Sequence, residues 1–181
     1  LGAILGLSVL GSGCDRLPVL GDDLEEARSA IQARNWTLAE RLLERYLRTQ
    51  HDPDKRWEAW QRLLDVAGSA GVDARTHLDY LEAMLMEYAE DTSRSKLVLH
   101  RMGELNENMR RFDRAADVWS TYIDLDGLTD AELVDGHRRL AWIHARASRF
   151  EAGEDVLQNC LALSTQDAGK AQCLYDLADL N

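Results

Sequence analysis

Side chains of matching character recur every 38 residues along this chain, and that interval sets what it can fold into. Leu42, Tyr80, Val118 and Val156 stand at equal spacing, as do Leu43, Leu81, Trp119 and Leu157. Tyr46, Met84, Tyr122 and Cys160 form a third set, and Leu47, Leu85, Ile123 and Leu161 a fourth. Within each unit these positions fall at i, i+1, i+4 and i+5, a helical stripe rather than the alternation of a strand. A fixed period of this length denotes stacked helical hairpins, each unable to bury its apolar face without a neighbour. The expected fold class is all-α, a helical-hairpin solenoid.

Apolar periodicity and local stop signals predict nine helices, over about 22–34, 36–49, 54–69, 73–91, 94–109, 112–126, 129–147, 149–164 and 167–181. Pro53 follows a break at His51 and Asp52, and Gly68 and Gly71 are expected to bracket a turn before Asp73 caps the next helix. Thr129 and Glu132 have the spacing of a capping box. Asp124 to Gly127 reads as a helix exit with glycine at the stop. Ahead of the repeating stripe come Trp36, Phe112 and Phe150, with Ala74 in the unit between. Three residues on, Ala39, Ala115 and Gly153 put small side chains where helices must approach closely; His77 departs from that rule.

These residues carry a resemblance to the tetratricopeptide repeat. Residues 102–126 (MGELNENMRRFDRAADVWSTYIDLD) have the family's large–small pair, then an aromatic, a small residue, another aromatic and an acidic exit. Residues 138–164 resemble it again through Leu140-Ala141, and residues 33–48 in the second helix only. Leu177-Ala178 repeats the pair one residue out of step, and 57–91 is degenerate. The period of 38 exceeds the family's usual 34, which implies longer connections. The resemblance implies a right-handed solenoid over 22–181 whose first helices line a concave groove for a protein or peptide partner, and the uncapped helix from Cys173 to Asn181 is expected to continue the array.

One segment stands out by charge. The chain carries a net charge of −11, which weighs against general binding to nucleic acid. Yet His137 to Phe150 holds Arg138, Arg139, Arg146 and Arg149, two histidines and no acidic residue. Arg138, Trp142 and Arg146 share one helix face at i, i+4 and i+8, whereas Leu140, Ile143 and Ala147 occupy another and are core candidates. By analogy with the family the first face points into the groove. His100 and Arg101 lie on the preceding first helix, Arg110 and Arg111 at its end, and Tyr175 on the following one. The expected partner-binding strip is His100, Arg138, Trp142, Arg146 and Tyr175, suited to an acidic or C-terminal peptide segment. The competing reading is charge balance within the fold, with Trp142 packed between hairpins. The family's Lys/Asn clamp for a terminal carboxylate is not supported, because His100 and Glu104 stand where it needs them.

Residues 1–14 (LGAILGLSVLGSGC) are apolar and uncharged, and shorter than the ~20 residues that span a bilayer. They fit the apolar region and cleavage zone of a secretory signal. Cys14 after Gly11-Ser12-Gly13 resembles the lipobox of bacterial lipoproteins, although Gly11 stands where that family favours leucine. The resemblance implies a signal segment over 1–13, lipidation of Cys14 and a tether over 14–21. The alternatives are the end of an uncleaved anchor or a chance match. Asp15 resembles an inner-membrane retention signal.

No CxxC, HExxH, Walker-type loop or GxSxG occurs, so no cofactor, metal site, catalytic residue or small-molecule substrate is expected. Cys160 and Cys173 lie near facing ends of consecutive helices and form either a disulfide or two ordinary buried thiols. The functional expectation is a non-enzymatic, lipid-anchored scaffold on the periplasmic side of a bacterial envelope. The alternatives are a periplasmic chaperone-like or envelope-polymer binder, and a regulatory repeat domain of a larger enzyme.

Overall fold

The computed structural model describes residues 22–180. The expected signal segment, Cys14 and the tether lie outside the described residues. Nine helices follow one another: α1 (Asp22–Gln32), α2 (Trp36–Thr49), α3 (Pro53–Ala70), α4 (Ala74–Glu87), α5 (Thr92–Asn108), α6 (Phe112–Ile123), α7 (Asp130–Arg146), α8 (Phe150–Leu163) and α9 (Asp167–Leu180). No strand occurs among the described residues, and no helix there is long and apolar enough to cross a membrane. The chain forms two compact units, α1–α3 and α4–α9.

In the first unit α2 packs against both α1 and α3. Its stripe of Ala39, Leu42, Leu43, Tyr46 and Leu47 is buried, together with Ala27, Ala30, Trp60, Leu63 and Leu64 from the flanking helices. Ala39 is wholly enclosed, as its place at a close helix approach requires. The nearly buried Asp23 on α1 accepts from Arg45 Nε on α2 at 2.8 Å.

In the second unit each helix from α4 to α9 packs on the next, and α7 also meets α9. The core consists of Leu99, Ala115, Ala116, Trp119, Tyr122, Leu140 and Ile143. A second cluster joins Val134, Cys160 and Cys173. Backbone approach is closest at the small residues of the repeat. A Cβ on Gly153 would stand 3.0 Å from the carbonyl oxygen of Ala141, and one on Gly103 would strike Trp119.

The repeat is written in the turns as well as in the stripe. At Arg34, Arg110 and Ser148 the backbone is left-handed, with φ of 55°, 56° and 61°. Around each, the same two hydrogen bonds close the preceding helix: Arg34 N to Ile31 O and Asn35 N to Ala30 O, then Arg110 N to Glu107 O and Arg111 N to Asn106 O. The third pair is Ser148 N to Ala145 O and Arg149 N to His144 O. These are Schellman turns with non-glycine residues at the left-handed position.

Helix limits agree with the sequence expectation to within a few residues, with instructive differences. Gly68 does not mark a turn; it lies inside α3, and Gly71 alone takes a positive φ, 66°. The fourth helix stops at Glu87 because residues 88–91 form the link in which Asp91 caps α5. The sixth stops at Ile123, and Gly127 turns the chain at φ 77°. The capping box at Thr129 and Glu132 is formed, and Asp73 accepts from the amides of Arg75 and Thr76.

Candidate functional site: a charged cleft along α5 and α7

Trp119 is the base of this region. Its ring is completely buried, and its Nε1 donates to Glu107 Oε1 at 2.7 Å. His100 and Tyr122 meet it edge-on, with centroids at 5.1 and 5.2 Å. The Arg139 guanidinium lies over its face at 5.0 Å, a cation–π contact strengthened by partial desolvation. Burial above all pushes the Tyr122 hydroxyl up to about 12, with Glu132 and Asp135 adding to it, so it stays protonated.

Above this base, Glu107, Asp135, Arg138, Arg139, Trp142, Ile143 and Arg146 line an open cleft of about 260 Å³. The face read from the sequence is therefore assembled: Arg138, Trp142 and Arg146 share one recess. His100 does not line it; its ring packs on Trp119, and its nitrogens lie 3.7 Å from Asp135 and Glu104 carboxylate oxygens. Tyr175 is exposed on α9, next in sequence to Asp176, and does not line the recess.

The cleft's cations are not equivalent. Arg138 is paired with Asp176 on α9, a carboxylate only 2% exposed that also accepts from Gln172 Nε2 at 3.2 Å. Arg139 engages three carboxylates: Glu104 at 3.0 Å, Asp135 at 3.1 Å and Glu107 at 3.4 Å. Burial lowers the Arg139 pKa, but these three neighbours outweigh it and raise the net value. Much of the basic segment is thus neutralised by acidic residues from α5, α7 and α9. Arg146 is exposed and half-buried Trp142 stands beside it, which leaves an aromatic surface and a guanidinium facing the recess.

For Arg138 and Arg139 the competing expectation, charge balance within the fold, is what the structure shows; the partners themselves were not named, because the segment from 137 to 150 contains no acidic residue. Two signals pointed to them. Asp135 lies four residues before Arg139, one helical turn away, and Asp176 lies one full period after Arg138. Glu104 and Glu107 come from the preceding hairpin, and only the stacking of α5 and α7 on α6 brings them within reach of Arg139.

Two solved structures have this arrangement of helices. One is a Podosopora anserina protein with nearly identical TPR-like repeats, at a TM-score of 0.59 and 15% identity, covering 89% of this chain and 84% of that one. The other is BtubC from P. vanneervenii, at a TM-score of 0.57 and 15% identity, covering 89% and 80%. The fold is TPR-like. No family model matches the sequence, and no curated protein matches it. At this identity the likeness concerns the backbone arrangement alone.

In this TPR-like chain Cys160 and Cys173 are joined by a disulfide, with Cα atoms 6.0 Å apart, linking α8 to α9. Both sulfurs are enclosed beside Val134. Among the described residues no group of three or more His, Cys, Asp or Glu is placed to hold a metal. The cleft thus presents half-buried Trp142 and exposed Arg146 beside carboxylates that pair with Arg138 and Arg139.

Proposed function

We propose that the chain is a protein-binding scaffold that grips its partner through the α5–α7 cleft, tethered to a bacterial envelope membrane by a lipid on Cys14. The observation that carries the binding half is the recess formed by Arg138, Trp142 and Arg146 on a locked base. The ion pairs of Arg138 and Arg139 fix the walls before a partner arrives, so little ordering entropy is lost on binding. Trp142 supplies area and Arg146 a directional charge, the residue types that dominate interface energetics. An acidic peptide segment fits this pair.

The tether half rests on the sequence at Cys14 and on the resemblance of residues 1–14 to a lipoprotein signal. A covalent link between Cys160 and Cys173 is in keeping with an oxidising compartment such as the periplasm.

The test is crosslinking and affinity purification of the anchored protein from its native membrane, for wild type and Trp142→Ala/Arg146→Ala. One stoichiometric partner, lost by tenfold or more in the variant while its circular dichroism is unchanged, is the expected result. Undiminished capture refutes the cleft, and recovery of many unrelated unfolded chains favours the chaperone-like reading. Absence of a diacylglycerol on Cys14 by mass spectrometry refutes the tether.

A further inference from the structure

A second cleft, of about 520 Å³, opens between the turn joining α5 to α6 and the turn joining α7 to α8. Its lining is Arg110, Arg111, Arg114 and Arg149, with Phe112, Asp113 and Ala147. Four guanidinium groups thus face one carboxylate, in a chain whose net charge is −11.

Among the described residues, helix capping does not account for this concentration, and ion pairing accounts for Arg149 alone. Arg111 and Arg149 occupy the N-cap positions of α6 and α8 and supply no capping hydrogen bond. At the equivalent positions of α4 and α2, one and two periods before Arg111, Asp73 and Asn35 do cap. A cation beside a helix start opposes the helix dipole, so these two arginines cost stability where they stand. The Arg149 Nη1 donates to Asp113 at 2.9 Å, but its Nε and Nη2 are shielded from solvent without a hydrogen-bond partner among the described residues. Exposed Arg110, Arg111 and Arg114 make the other walls. The exposed guanidinium groups of Arg110, Arg111 and Arg114 around the recess are matched by oxyanions, which each can grip in a bidentate manner.

We propose that this cleft binds an acidic polypeptide segment, its Asp and Glu side chains entering between Arg110, Arg111, Arg114 and Arg149. A membrane surface is disfavoured by the same charges. An anionic bilayer confronts a whole face of a molecule at −11, whereas a single chain reaches the recess alone within the ~8 Å over which charges act at physiological salt. Phe112 in the wall gives an apolar contact for a peptide backbone or side chain. The site is separate from the α5–α7 cleft and stands or falls independently of it.

The experiment is fluorescence anisotropy of a labelled octaglutamate peptide with the full chain, at 50 and 300 mM salt. Wild type should bind at low salt and weaken steeply at high salt. Arg111→Glu/Arg114→Glu should reduce affinity at least tenfold. Arg101→Glu, which removes the same kind of charge from an exposed position outside the cleft, should change it less than twofold per charge. Circular dichroism checks that each variant is folded, and Arg114→Gln alone gives a milder loss if the double variant is not. No binding by wild type overturns the proposal. So does an equal loss with Arg101→Glu, a loss confined to Arg146→Ala, or binding of phosphatidylglycerol vesicles without binding of octaglutamate.

Discussion

Replacing Gly103 by alanine sets two magnitudes against each other. Gly103 lies inside α5, where alanine is favoured over glycine by ~1 kcal/mol on helix propensity. The added Cβ, however, would stand 2.5, 2.6 and 2.8 Å from Cε2, Nε1 and Cζ2 of Trp119, where ordinary contact needs about 1 Å more. The indole cannot retreat freely: it is fully buried, bonded to Glu107, and flanked by His100, Tyr122 and Arg139. Overpacking a rigid core costs ~1–3 kcal/mol, and displacing the Trp119–Glu107 hydrogen bond adds ~1.5 kcal/mol. The net expectation is a loss of ~2 kcal/mol, or roughly 4–8 °C in Tm for a protein of this size. Urea unfolding followed by near-ultraviolet circular dichroism measures it. In a Trp119→Phe background the smaller ring leaves room, so the alanine should cost less than ~0.5 kcal/mol and the pair should couple by ~1–2 kcal/mol. A stabilised Gly103→Ala protein, or the same cost in both backgrounds, would refute the packing argument.

Two further outcomes follow from the caps and turns. Lys96 first, then the Thr129 amide, lower the Glu132 pKa from 4.5 to about 2. A depressed carboxylate pKa contributes stability above pH 4.5 that is lost as pH falls toward 2. The full shift converts to ~3 kcal/mol, and with the side chain 32% exposed, screening reduces this to roughly 1.5 kcal/mol. Glu132→Gln should therefore be less stable than wild type at pH 7, with the gap narrowing by pH 3; a gap independent of pH would contradict the ionic cause. Ser148→Gly should raise the urea midpoint without changing the slope, by ~0.5–1 kcal/mol, because the left-handed residue is relieved of more strain than glycine loses in chain entropy. A lowered midpoint would show that the Ser148 turn is not the Schellman turn described.

The helices were legible because stripe, caps and breakers agree: Asp73, Thr129 and Gly127 each do locally what their chemistry favours. The turns at Arg34, Arg110 and Ser148 were not, because left-handed backbone is signalled by glycine, and these positions hold arginine and serine. Gly68 misled for the converse reason: it is exposed, and the buried Val66 and Ala67 just before it hold α3 together past its weak propensity. Of the cleft, the face shared by Arg138, Trp142 and Arg146 could be read from helical spacing. Its neutralisation was open as charge balance within the fold, but the partners Glu104 and Glu107 were not legible, because they become neighbours only once hairpins are stacked. The second cleft was hidden likewise: Arg110 and Arg111 were placed with the groove, and only the folded chain sets them opposite Arg149.

The bond between Cys160 and Cys173 also has a mechanical meaning. Elsewhere in the second unit, a tug on one helix is resisted by side-chain packing and yields when that packing peels. At α9 the tug crosses two sulfur atoms into α8 instead. α9 therefore detaches only with α8, and a pull on α9 is shared by three helices, since α8 bears in turn on α7. Reducing agents would convert that anchorage into a latch.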